Sequence, residues 1–192
     1  MKALILSFAF STIFLTSCNA DSPKNQVTKS DQSQKTEVAK PNETPAQSEV
    51  SIKGIVDAYI KVKNALAKDN DKLAASGGKE LVNAIQNFNK SALTPEQAKT
   101  YADIEEDAKE HAEHISTNAG NLKHQREHFE TLSQDVYQLV KTFGTSQPLY
   151  YDHCPMYNKN KGGYWVSESK AIQNPYLGKS MPTCGVVKEE LK

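Results

Sequence analysis

From Ile52 to Phe143 the apolar residues fall at helical spacing, and from Pro148 onward prolines and glycines forbid any long helix. That change of character constrains the fold more than any other feature of the chain. Ile55, Val56, Tyr59, Val62 and Leu66 share one face and predict a first helix ending near Asp69. A second pattern takes in Leu73, Leu81, Val82, Ile85 and Phe88. Gly77 and Gly78 fall inside it, each about 1 kcal/mol worse than Ala in a helix, so a bend or break is expected there. Thr94-Pro95-Glu96-Gln97 is a start signal, with Thr as cap, Pro at the first helical position and Gln completing a capping box. The third helix then runs towards Ser116 with Tyr101, Ile104, Ala108, His111 and Ile115 inward. A turn follows over residues 117–121. The fourth helix carries Leu122, Phe129, Leu132, Val136, Val140 and Phe143, and Gly144 ends it. Four amphipathic helices with short connections predict a mainly α fold, an up-down four-helix bundle.

The tail, residues 147–192, reads differently. Pro148, Pro155, Pro175 and Pro182, with Gly162, Gly163, Gly178 and Gly185, make it irregular. Leu149-Tyr150-Tyr151 and Tyr164-Trp165-Val166 are candidate short strands of a β-hairpin across the Asn-Lys-Gly-Gly loop.

The N-terminus has its own logic. Lys2 precedes an apolar run from Ala3 to Phe10, followed by Ile13, Phe14 and Leu15 and interrupted by Ser11 and Thr12. This is a signal-peptide pattern, shorter than the roughly 18–20 apolar residues that span a bilayer. Leu15-Thr16-Ser17-Cys18 resembles a bacterial lipobox, in which cleavage before the cysteine is followed by its acylation. Residues 1–17 are thus expected to be a lipoprotein signal peptide and Cys18 the lipid-bearing residue. Residues 18–48, rich in Ser, Thr, Asn, Gln, Lys and Pro, carry too little apolar surface to offset ordering entropy, and are expected to form a disordered tether. The folded domain is then residues 49–192, in the cell envelope, lipid-anchored and facing the periplasm. Asn19 after the cysteine, rather than Asp, points to the outer membrane under the enterobacterial sorting rule.

Lys plus Arg equals Asp plus Glu at 23 each, so no basic excess points to nucleic acid. Neither Gly77-Gly78 nor Gly162-Gly163 has the spacing of a phosphate-binding loop.

Chemistry is concentrated in the tail. His153-Cys154-Pro155-Met156 and Met181-Pro182-Thr183-Cys184-Gly185 hold all the sulfur of the folded domain. Thiolate and thioether are soft donors, so Cys154, Met156, Met181 and Cys184, with His153 as a possible replacement ligand, would favour monovalent copper or a related soft ion. Equally open is a Cys154–Cys184 disulfide, with no metal, stapling a structural or protein-interaction module in an oxidising compartment.

Four tail segments together carry a resemblance: Tyr151-Asp152-His153-Cys154-Pro155-Met156, Gly163-Tyr164-Trp165-Val166-Ser167, Ile172-Gln173-Asn174-Pro175-Tyr176-Leu177-Gly178 and Met181-Pro182-Thr183-Cys184-Gly185. With Gln125-Arg126-Glu127-His128-Phe129 and Leu132-Ser133, they resemble an uncharacterised bacterial domain of the DUF type, over roughly residues 52–187. That domain is found exported alone or fused to periplasmic adaptor subunits of Cus-type heavy-metal efflux systems. The resemblance implies metal handling, ligands at Cys154, Met156, Met181 and Cys184, and an efflux adaptor or pump as partner. No adaptor hairpin or lipoyl-like domain is recognisable in this chain, so a free-standing metal-binding lipoprotein is the form expected.

A second candidate metal site lies on the helices. His111 and His114 come late in the third helix, His124 and His128 early in the fourth, at mirrored distances from the turn. Helical angles put His111 on the core face and His114 and His128 towards its flanks, so these three could converge on zinc or copper, while His124 points further out. The plain alternative is ordinary surface histidines and a satisfied core His111. No catalytic residue is expected: Cys154 and His153 are neighbours in an extended segment and face opposite sides, and Glu105-Glu106 lies on a solvated face.

Overall fold

The computed structural model describes residues 50–192. The proposed signal peptide, Cys18 and the tether lie outside the described residues. Four long helices come first: α1 (Lys53–Ala67), α2 (Asp71–Gln86), α3 (Pro95–Thr117) and α4 (Leu122–Phe143). Consecutive helices pack on one another along their apolar faces, and their shared core includes Tyr59, Val62, Leu66, Leu81, Ile85, Ile115, Phe129 and Leu132. Among the described residues no helix is long and apolar enough to cross a membrane.

The local signals act as expected at most helix ends. Thr94 and Gln97 form the reciprocal capping box, with Pro95 in the first turn. Asn70 and Asn121 cap α2 and α4 by accepting from the backbone N–H of Leu73 and His124. Gly144 closes α4 at φ 72°.

Gly77 and Gly78 do not break α2. The helix runs through them because each removes a side chain where a neighbour presses closest. A Cβ at Gly77 would stand 2.9 Å from Val62 Cγ2, and one at Gly78 would stand 2.9 Å from the Ala112 carbonyl oxygen. Packing against α1 on one side and α3 on the other outweighs the lost propensity. Leu73, expected on the inner face of α2, sits in its first turn and is 58% exposed. On α3 the core position expected for His111 belongs to Ala112, and His111 lies half-buried at the rim.

The tail is more ordered than a hairpin on an irregular segment. Strands β1 (Leu149–Cys154) and β2 (Gly163–Ser167) form the expected antiparallel hairpin, with Asp152 opposite Trp165 and Cys154 opposite Gly163. Their connection passes through Asn158, Lys159 and Asn160, all at positive φ, a conformation that Asn tolerates better than most residues. A third strand, β3 (Val186–Leu191), pairs with the other edge of β1, giving the order β2-β1-β3.

The sheet joins the bundle mainly through β2, which contacts α4 and α1. Trp165 and Val166, on opposite faces of β2, are both fully buried, and β2 packs against α4. Arg126 binds the two parts together: it donates to the carbonyls of Leu66 (3.0 Å) and Pro175 (2.8 Å) and pairs with Asp69 at 2.5 Å. Tyr137 of α4 stacks on Tyr151 of β1, which stacks on Tyr164 of β2, at centroid separations of 4.0 and 5.1 Å.

Candidate metal centres

The two sulfur-bearing segments meet. Cys154 ends β1 and is fully buried, while Cys184 lies 30 residues later in the loop before β3. Asn174 shapes that loop. Its backbone N–H donates to Pro182 O and its side-chain amide to Cys184 O, while its side-chain oxygen accepts from the N–H groups of Tyr176 and Leu177. Gly185, at φ 148°, lets the chain run against Trp165, where a Cβ would stand 2.9 Å from the indole. Folded back in this way, Cys184 Sγ stands 2.9 Å from Cys154 Sγ, and both cysteines are free.

The surroundings of Cys184 favour thiol over thiolate. The hydrogen bond to Cys154 pushes the Cys184 thiol above its usual range, and burial adds to this, against a smaller opposing effect from the Met156 backbone N–H. A metal ion binding here must therefore displace protons.

The remaining sulfur ligands expected from the sequence flank this pair without being buried on it. Met156 and Met181 are 50% and 38% exposed. Met181 belongs to the turn that delivers Cys184, whose N–H donates to the Met181 carbonyl at 3.2 Å. His153 faces away from its neighbour Cys154, as strand alternation requires. Its ring packs on Tyr164 at 4.2 Å and lies over Gly162, where any Cβ would collide with Nε2. Burial, and then Lys188, lower its pKa.

A second cluster occupies the end of the bundle where α3 turns into α4. Buried Gln125 anchors the turn by donating to the carbonyls of Ile115 and Asp71, both at 3.0 Å, and the Gly120 N–H donates to Asp71 at 2.6 Å. Four imidazoles then converge. His111 Nδ1 and His128 Nδ1 share a hydrogen bond of 2.8 Å. His114 stacks on His128 at 4.1 Å, and His124 meets His128 edge-on at 4.5 Å. One ring nitrogen from each of His114, His124 and His128 lies within 4.8 Å of the other two.

Each of three rings has a carboxylate one helical turn away. Asp107 is 3.4 Å from His111 Nε2, Glu110 is 3.8 Å from His114 Nε2, and Glu127 is 3.7 Å from His124 Nδ1. Burial, then the neighbouring His114, His111 and His124, push the His128 pKa down to about 4, so the ring is neutral at physiological pH.

The sequence pointed to His111, His114 and His128. The structure brings these together but adds His124, which helical angles alone had turned outward. His124 and His128 are i and i+4 on α4 and so share a face. His111, in turn, stands behind His128 as its hydrogen-bond partner.

Comparison with known proteins adds one finding. A domain spanning residues 55–148 matches a family described as "Protein of unknown function (DUF3347)". All four clustered histidines fall inside the matched region; Cys154 and Cys184 fall outside it. No curated protein and no solved structure matches the chain.

Proposed function

We propose that the chain is a lipid-anchored protein of the cell envelope that binds copper or a related soft metal ion through Cys154 and Cys184, for buffering or for delivery to an efflux adaptor or pump. One observation supports this above the others: two thiols 30 residues apart in sequence stand 2.9 Å from one another and are not joined. Thiolates sharing an ion sit roughly 3.5–4 Å apart, given metal–sulfur bonds near 2.3 Å. The pair must then open by about 1 Å, through a shift of the Cys184 loop that ends at Gly185. Met156 and Met181, exposed on the same two segments, would supply thioether ligands, and soft donors of both kinds select a monovalent ion. The anchor rests on the lipobox-like Leu15-Thr16-Ser17-Cys18 and the outer-membrane placement on Asn19. The Cus-type association rests on the tail motifs, and the up-down order of the bundle on its short loops and the packing of consecutive helices.

A second reading has its own support. The 2.9 Å separation is shorter than a shared ion allows, so the same two cysteines are poised to form a disulfide that would staple β1 to the Cys184 loop. Thiol counting on protein isolated from the cell envelope separates the two. Metal binding requires two titratable thiols and one equivalent of monovalent copper, lost in Cys154→Ser and in Cys184→Ser. No titratable thiol and no copper-dependent rise in Tm would leave the stapled structural module.

A further inference from the structure

We propose that the α3–α4 end of the bundle is a second metal site, separate from the thiol pair, in which His114, His124 and His128 hold a divalent ion of the zinc, copper(II) or nickel class and His111 positions His128.

The ligand geometry is close to what such an ion needs. Two nitrogens on one tetrahedral ion at 2.0–2.1 Å are about 3.3–3.4 Å apart. The three histidine nitrogens already lie within 4.8 Å of one another, so side-chain torsions alone can close the difference. Three ligands from two helices leave a fourth position for water or a nearby carboxylate. Imidazole donors suit divalent borderline ions, whereas the thiol pair suits a monovalent one, so the two sites would select different ions.

The hydrogen bonds point the same way. Asp107 stands 3.4 Å from His111 Nε2, and a proton held on that side of the ring would leave Nδ1 as an acceptor. His128 must then donate through its own Nδ1–H across the 2.8 Å contact. In that arrangement His128 Nε2 keeps its lone pair free, as where a second group orients a metal-bound histidine. Glu110 and Glu127, at 3.8 and 3.7 Å from one nitrogen of His114 and of His124, place negative charge beside those rings without bonding to them. A purely structural role accounts poorly for the set, because both carboxylates stand beyond hydrogen-bond reach and four mutually close bases gain little from one another's company.

The experiment uses the full chain with Cys154→Ser and Cys184→Ser, which removes the thiol pair, titrated with Zn2+ by calorimetry and with Co2+ by visible absorption. One equivalent of each is expected, with a rise in Tm and a tetrahedral cobalt spectrum lacking sulfur charge-transfer bands. His114→Ala and His124→Ala, both on half-exposed positions, should each weaken binding at least tenfold while leaving the metal-free Tm within a few degrees. His111→Phe should weaken it about 10–100-fold, as loss of an orienting partner does, and His111→Asn, whose side-chain oxygen can accept from His128, should restore it along with the cobalt spectrum. Absence of stoichiometric Zn2+ and Co2+ binding, or binding indifferent to His114→Ala and His124→Ala, overturns the proposal. Because the thiols are absent throughout, that outcome is independent of whether the wild-type chain takes up monovalent copper.

Discussion

The hydroxyl of Tyr59, on α1, accepts a hydrogen bond from the backbone N–H of Val166, on the edge strand β2, at 3.1 Å, although 107 residues separate them. The bond continues inward. Tyr59 lies 2.8 Å from the Ser133 hydroxyl, which donates to the Phe129 carbonyl at 2.7 Å, so the chain of donors runs from the sheet through α1 into α4. Burial raises the Tyr59 pKa well above that of an exposed tyrosine, and the group remains a neutral phenol.

Tyr59→Phe would keep the ring's stack on Phe129, at 5.1 Å, and leave the Val166 N–H buried without a partner. The expected loss is about 1–3 kcal/mol of folding stability, the penalty for an unsatisfied buried donor. Urea unfolding checks it; a loss below about 0.5 kcal/mol would mean the sheet is held by packing alone.

Gly78→Ala separates packing from propensity. Propensity favours Ala by about 1 kcal/mol, yet a Cβ would press on the Ala112 carbonyl at 2.9 Å and the Ser116 N–H at 3.0 Å. A net loss of about 1–3 kcal/mol is expected. Gly54→Ala, where nothing lies within 4 Å, should instead gain about 0.4–1 kcal/mol. Thermal melts of the two variants should move in opposite directions.

The contrast at these glycines shows what the sequence could and could not disclose. Helix existence and ends were legible because apolar periodicity and the Thr94, Pro95 and Gly144 signals act within a few residues. The continuity of α2 was not, since it depends on how closely Val62 and Ala112 approach from other helices. Strand β3 was hidden because Val186, Val187 and Lys188 are exposed and only Leu191 is buried, which leaves no alternation to read. The two cysteines announced themselves by composition, but their meeting is made by Asn174 and Gly185, neither of which carries a chemical signature. His124 is hidden from helical angles because its own angle points outward, and only its place one turn before His128 brings the two rings together.

A pH effect follows from Asp135, which is 7% exposed and has one carboxylate oxygen without a partner. Burial, and then Asp107, push its pKa up from 3.8 to about 7. Between these values the folded state keeps a proton that the unfolded chain releases. Its contribution to stability is therefore full below about pH 3.8 and is lost as pH rises through 7. Asp135→Asn removes the titration. Its stability relative to the wild type should rise by roughly 2–4 kcal/mol between pH 4 and pH 8. Paired melts at the two pH values test this, and a difference independent of pH would contradict it.

The central claim concerns the two thiols, and the coordination shell of bound copper tests it most directly. X-ray absorption at the copper edge, on reduced wild-type protein loaded with one equivalent of monovalent copper, should show sulfur neighbours in the first shell. These should disappear in Cys154→Ser Cys184→Ser. A shell of nitrogen and oxygen alone, or a sulfur shell unchanged in that variant, would contradict it.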